Sequence, residues 1–526
     1  MTTPTASPQQ VTEQLVGLLG AEHVLTSATD LDYYAMDAYN QLALPIAIVF
    51  HGSISQLQDV VRLAARHGVS LSPRGGAASY TDAHLPSTPN SLIVDTARLN
   101  RIVEINEQDM YVTVEPGVTW HDLWQALAKK GLRASFWGPF SGLKATVGGS
   151  TSQNAASLGS GNYGITADAV LGFEIVLASG ELLTTGSAAK PNGAPFFRWD
   201  GPDLTGLFCG DAGALGIKSR ISLRLIKEPP FFGAVSFSFD NFAGMAAGMA
   251  AAARENVTAD TFAVDPKLQQ AQLGSVSTKD AVAAAVAVMK SSRNPLDAAL
   301  RLGKMAAAGR RFLTGWNYSA HYTVEGVSAG EVKAKLALLR KAMSGHGQEI
   351  AATIPTVLRA MPFVPLYYML GPKGERWVPQ HGVMPLSRID AFHKSLMQLY
   401  AGYADRMKQL SVEPGAMYTA IGTNAFLYEP VFYWQDELTS YHRRYLPADY
   451  VGSLPTYPPN PAARELVREL RDETNKLFAA VGAVHMQLGK SYPYLEGRQP
   501  AAAAALRHMK QHLDPGGIMN PGALQL

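Results

Sequence analysis

Two glycine-rich stretches constrain this chain more than anything else in it. The first is Pro73-Arg74-Gly75-Gly76-Ala77-Ala78-Ser79-Tyr80, and the second runs through Thr146-Val147-Gly148-Gly149-Ser150-Thr151-Ser152-Gln153-Asn154 toward Tyr163-Gly164. Loops without bulky side chains let backbone N–H groups approach a pyrophosphate that anything beyond Cβ would block. Neither stretch holds G-x-G-x-x-G opening a helix, and neither holds G-x-x-x-x-G-K-[ST]. The pattern therefore predicts a dinucleotide held on something other than a Rossmann turn or a Walker loop.

The surrounding text predicts an α+β first domain. Val11, Leu15, Leu18 and Leu19 recur at helical spacing, Pro45 to Phe50 is an apolar strand, and Val60 to Ala65 lies in a helix ending near Gly68. Short strands follow from Leu92 to Leu225, up to the break at Glu228-Pro229-Pro230. Beyond it, Val235–Phe239, Tyr318–Val324, Ala416–Ile421 and Tyr428–Trp434 alternate as strands, and Pro461 to Val481 reads as a long amphipathic helix.

The ordered series Leu92-Ile93-Val94-Asp95, Tyr111 to Trp120, Val170 to Ala178, Gly210-Asp211-Ala212-Gly213-Ala214-Leu215-Gly216-Ile217 and the ending Asp514 to Gly522 adds specificity. It resembles the vanillyl-alcohol oxidase and p-cresol methylhydroxylase flavoprotein family over nearly the whole chain. The resemblance implies a two-lobed FAD-binding domain of the p-cresol methylhydroxylase type, residues 1–228 completed by 500–526. Residues 229–499 would form a substrate or cap domain, an antiparallel sheet covered by helices. It also implies FAD as cofactor, cradled by Arg74, Gly75, Gly76, Ala77, Ala78, Ser79, Thr146, Gly148, Gly149, Ser152 and Asn154. Tyr163, Gly164 and Ile217 would lie toward the flavin or adenosine, and Asn520 would sit in the returning tail.

The expected reaction is hydride transfer from an alcohol or hydroxylated carbon of a small aromatic or apolar molecule to flavin N5. A base has to take the neighbouring hydroxyl proton. The cluster Val484-His485-Met486-Gln487-Leu488-Gly489-Lys490-Ser491-Tyr492 falls where phenol-oxidising members hold a phenolate, so His485 is the expected base. Lys490 could instead hold a carboxylate. Tyr428 matches, loosely, the place where relatives tether FAD, and the alternative is a core tyrosine. His381 is a second candidate base, and Tyr80 and Tyr368 could line the cavity. No H-x-G-D-G-N-x-H stretch occurs, so no metal site is expected. Alternatives are a metal-independent D-2-hydroxyacid dehydrogenase and a flavin-binding redox-partner protein.

A formal net charge of +2 argues against a nucleic-acid binder. With Cys209 as the only cysteine, no intrachain disulfide can form. The start has no basic region leading into an apolar core and no apolar run suits a membrane span, so a cytoplasmic protein is expected. A homodimer is compatible with the resemblance. The acceptor that reoxidises the flavin, oxygen or a cytochrome-like protein, is written in no motif. Lys290, Arg293, Arg301, Lys304, Arg310 and Arg311 form a basic stretch, read either as a solvated helical face or as a docking face for a membrane or an acidic partner.

Overall fold

The computed structural model describes residues 7–269, 285–289, 303 and 317–526, so the six basic residues from Lys290 to Arg311 lie outside the described residues. The fold is α+β and contains three sheets among those residues.

Near the N-terminus, Ser7 caps the helix Pro8–Leu19 in a reciprocal box with Gln10, and the proline stands where a helical N–H would have no partner anyway. Ser53 caps the helix Ile54–His67, which stops at Gly68 in the left-handed conformation. Both helices lay their apolar faces (Val11, Leu15, Leu57, Val60, Val61) on a four-stranded sheet. Its centre is parallel, with Ala47–Phe50 and Ser70–Arg74 flanking Ser91–Asp95. Covered strands of this kind are apolar without alternation, as Ala47-Ile48-Val49 shows. The chain's end returns to the edge of this sheet: the Leu71 N–H donates to the Ile518 carbonyl at 2.7 Å, and the Asn520 N–H to the Leu71 carbonyl at 2.8 Å.

A six-stranded antiparallel sheet follows, in the order Ile102–Asn106, Tyr111–Val114, Ile217–Lys227, Val170–Val176, Leu182–Thr184, with Leu132–Ala134 paired to the far end of Ile217–Lys227.

The third sheet has eight strands. At its centre Val412–Ile421 and Ala425–Trp434 form a long hairpin, turning at Gly422, whose φ is +56°. The segment expected to bear a flavin tether is therefore a tight turn followed by a strand that begins at Ala425, earlier than the aromatic run suggests. One face of this sheet is covered by helices: Phe242, Met245, Phe392, Leu396 and Phe478 pack on Tyr418, Phe426 and Tyr428. The other face meets the first glycine loop, where Ala77, Ala78 and Tyr80 pack with Trp377, Met417 and Val431.

A buried ion cluster pins the second sheet to the third. Arg133 donates to both oxygens of Glu325 at 2.7 and 2.8 Å, and Arg359 bridges Glu325 and Glu228. Arg133 and Glu325 are nearly fully buried, which charges tolerate only when paired this way.

Candidate functional site

The first glycine loop leaves the strand Ser70–Arg74 and crosses the second at contact distance. A Cβ on Gly76 would lie 1.7 Å from the Lys144 carbonyl oxygen, and one on Gly75 2.5 Å from Thr146 Oγ1. A Cβ on Gly148 would meet Pro116 at 2.6 Å, whereas one on Gly149 would meet only Thr146 Oγ1, at 3.3 Å. Three of these glycines are thus required by protein packed on protein, and the fourth has a single close neighbour.

Tyr445 and Tyr441 donate their hydroxyls to the carbonyls of Gly76 and Ala77 at 2.6 and 2.8 Å. The carbonyls of this loop are thereby held from outside, while the N–H groups from Gly75 to Tyr80 donate to no acceptor among the described residues. Ala77 has φ +54°, a strained conformation outside glycine that fits a loop shaped to expose successive N–H groups. In the second loop Thr146 caps Val147–Gln153 and accepts from the Gly149 N–H.

Both loops line one cleft, completed by Ser152, Ala212, Gly213, Ile217 and Lys218. Unclaimed donors, two loops in contact and a glycine open to the cleft are what a pyrophosphate-bearing cofactor requires, so the residues present fit FAD.

Several expected cradle residues do something else. Arg74 lines the cleft, but its guanidinium is turned to Asp95 at 2.6 Å and lies 4.5 Å from the Tyr34 ring centroid. Asn154 ends the helix in the left-handed conformation and accepts from the Ala167 N–H. Tyr163 faces Arg133 and, with Gly164, lies outside the cleft lining. Asn520 works from behind: its side-chain amide donates to the carbonyls of Ala83 and Ala212, two wall residues, at 2.7 and 2.6 Å. Lys218, paired with Asp211 at 2.6 Å and with Ser152 at 2.9 Å, is a lining residue that sequence reasoning missed. With Arg220, Arg224 and Lys227 on the same strand, no signal in the sequence singles Lys218 out.

The cleft lining also includes Ser141 and Gln487. The first loop meets the face of the eight-stranded sheet opposite the helices. Tyr80 packs edge-on against Trp377 at 5.4 Å and His381 at 6.3 Å, Tyr368 lies 6.1 Å from Trp377, and Tyr492 stacks on His381 at 5.6 Å. Tyr80 lies near Gln487 and Tyr368 near Ser141, two residues of the cleft wall. Burial holds the pKa of all three tyrosines above the ordinary range and lowers that of His381 to about 3. Both ring nitrogens of His381 are buried without a partner. Glu429 stands in the same seam, with burial raising its carboxyl to about 7.

The three expected catalytic residues lie elsewhere. Tyr428 is in the helix-covered core, its hydroxyl 2.9 Å from His393 Nδ1, because neighbouring residues of a strand face opposite sides. The residue next to it, Glu429, is the one that turns to the seam. Lys490 donates to the Leu85 carbonyl behind the first loop, with burial lowering its pKa to about 8. His485 sits behind Tyr492, stacked at 4.2 Å, and its Nδ1–H donates to the His381 carbonyl at 2.7 Å. Among the described residues no three His, Cys, Asp or Glu side chains gather as a metal site, and no helix is long and apolar enough to cross a membrane.

Comparison with known proteins places this geometry. An FAD binding domain family matches residues 45–186, and the C-terminal domain of FAD linked oxidases matches residues 461–524. The glycolate oxidase subunit GlcD of Bacillus subtilis is 32% identical over 224 residues, 42% of this chain and 46% of that protein. A D-2-hydroxyglutarate dehydrogenase of Stutzerimonas stutzeri is 33% identical over 218 residues, 41% of this chain and 45% of the relative. The chain thus spans less than half the length of these relatives. The solved structure of p-cresol methylhydroxylase with substrate bound superposes with a TM-score of 0.73 over 98% of this chain and 96% of that one, at 17% identity, a likeness of fold. Residues 45–186 and 461–524 thus match the FAD binding domain and the C-terminal domain of the FAD linked oxidases, and the chain takes the fold of p-cresol methylhydroxylase.

Proposed function

We propose that this protein oxidises the alcohol or hydroxylated carbon of a small, aromatic or apolar molecule held in the seam of Tyr80, Tyr368, Trp377, His381 and Tyr492. The observation that carries this reading is the seam itself: buried aromatic and polar side chains packed beside Ser141 and Gln487 of the cofactor cleft. Bound FAD supplies the two-electron acceptor for a hydride. The chain supplies the rest. The unclaimed N–H groups of Gly75 to Tyr80 hold the pyrophosphate, and Trp377 and the tyrosines shed water from the ligand's ring. The high pKa values of the tyrosines keep them as neutral hydrogen-bond donors at neutral pH. We place the residue 1–228 and 500–526 segments around the cofactor and residues 229–499 around the substrate.

The names of the two curated relatives favour a second reading, a D-2-hydroxyacid as substrate. Lys490, the expected carboxylate holder, is engaged with Leu85 and does not line the cleft, which weighs against it. Anaerobic titration of the FAD-loaded protein separates the two. Benzylic alcohols or alkylphenols should bleach the flavin absorbance, while bleaching by D-lactate or D-2-hydroxyglutarate alone would replace this reading with the second. Reoxidation by oxygen or by a cytochrome-like protein, a cytoplasmic location and a homodimer complete the proposal. Oxygen uptake, cell fractionation and light scattering check them in turn.

A further inference from the structure

We infer that Glu429 is the specificity determinant of the seam: its carboxylate accepts the substrate's hydroxyl, so the site takes uncharged hydroxylated molecules and turns away carboxylates. This rests on the proposed reading and deepens it.

The geometry starts from strand alternation. In the hairpin Val412–Ile421 and Ala425–Trp434, Tyr418 stands opposite Tyr428 and Met417 opposite Glu429. The first pair belongs to the core under the helices. Met417 packs in the cluster that includes Ala77, Tyr80 and Trp377, which puts Glu429 on the face turned to the first glycine loop.

A carboxylate on such a face needs a partner, and Glu429 has none. It forms no ion pair and accepts no hydrogen bond among the described residues, although buried carboxylates are normally paired or bonded. Its oxygens are also absent from the fully occluded polar atoms, and the residue keeps accessible surface. An enclosed acid that still borders open space is an acceptor awaiting a donor.

The surroundings decide the class of donor. The groups that feel the charge of Glu429 are Tyr80 from the loop, Tyr368 from the 3-10 turn Leu366–Met369, Tyr433 on its own strand and Tyr492 from the C-terminal segment. Burial keeps all four neutral at pH 7. Arg471, whose charge bears on Tyr492 and His381, lies on the Tyr39 ring at 4.2 Å. A carboxylate ligand entering here would meet a second carboxylate, several neutral hydroxyls and a neutral imidazole. An alcohol or phenol would give its proton to a hydrogen bond and lay its apolar body on Trp377 and Tyr80. Titration gives the direction with pH. Ionised Glu429 accepts best, so hydroxyl binding strengthens as pH rises through about 7, and carboxylate binding weakens over the same range.

Calorimetric titration of the FAD-loaded protein with phenol and with benzoate, at pH 8, tests this without turnover. Phenol should bind at least about tenfold more tightly, a difference of about 1.4 kcal/mol. Glu429→Gln and Glu429→Leu should each bring the ratio below about threefold, mainly by admitting benzoate. Tyr428→Phe, one position along on the opposite face, should leave the ratio intact. Equal binding of the two probes, binding of neither, or an unchanged ratio in both Glu429 variants overturns the assignment. Retained flavin absorbance shows that each variant is folded. If the ratio behaves as expected but no hydroxylated compound bleaches the flavin, the proposed reaction fails while the selectivity of Glu429 stands.

Discussion

The cofactor cleft and the seam beside it are built on opposite principles. The cleft is backbone: two short continuous loops cross, and the positions that matter are those where a side chain would prevent the crossing. The seam is side chains: Tyr80, Tyr368, Trp377, His381, Glu429 and Tyr492 come from a loop, a turn, two strands and the C-terminal segment. The cleft should therefore fail abruptly when a methyl group is added, and the seam should change selectivity while staying folded. Gly76→Ala is the strongest test, because its Cβ would overlap the Lys144 carbonyl oxygen. We expect no flavin in the purified variant and lowered solubility. Gly149→Ala, with one contact at 3.3 Å, should fold and hold FAD more weakly. Flavin absorbance and gel filtration of the two read the contrast directly, and equal behaviour would break it.

The joint between sheets comes next in size. Replacing Arg133 by Ala leaves Glu325 facing Arg359 alone in a buried cluster, a change costing about 3–5 kcal/mol when one partner of such a pair is removed. Urea denaturation should show that loss, and the folded fraction should keep its flavin. Loss of flavin at unchanged stability would mean that the cluster supports the cleft rather than the joint.

That asymmetry also sets how much was legible beforehand. Gly75, Gly76, Gly148 and Gly149 announce themselves because backbone chemistry is local, and the strand–helix order around them carries the α+β fold. The seam depends on which face of a strand a residue takes and on how segments distant in sequence meet. An alternating run such as Tyr428-Glu429 shows two faces but not which one meets the first glycine loop. His485 and Lys490 share a segment with Tyr492, yet a stacked ring and a carbonyl bond to Leu85 keep them behind the seam. Asn520 was legible as a returning tail, whereas its two bonds to wall carbonyls were not.

Lys490 supplies a pH test of that outer layer. Burial places its folded pKa at about 8, below the roughly 10.4 of an unfolded lysine. Between those values the unfolded chain binds the extra proton, so stability rises with pH across the window, and below about 8 the cost of burying the charge is fully present. Relative to Lys490→Met, the native protein should gain in thermal midpoint from pH 8 to pH 10, with Asp82 as the one charge acting on the lysine. A flat difference would mean that the ammonium is solvated and that the segment stands open to water.

The smallest effect is expected from Tyr428→Phe. It removes a hydroxyl whose partner, His393 Nδ1 at 2.9 Å, is itself stacked on Phe242 at 3.6 Å. The cost should be about 1 kcal/mol, the net worth of one hydrogen bond, seen as a small fall in the denaturation midpoint. Flavin absorbance, release of flavin by acid precipitation and phenol binding should all match the native protein. A flavin that stays with the acid precipitate of the native chain and is released from the variant would put Tyr428 at the cofactor. That result would reverse the two faces of the hairpin and take Glu429 out of the seam with it.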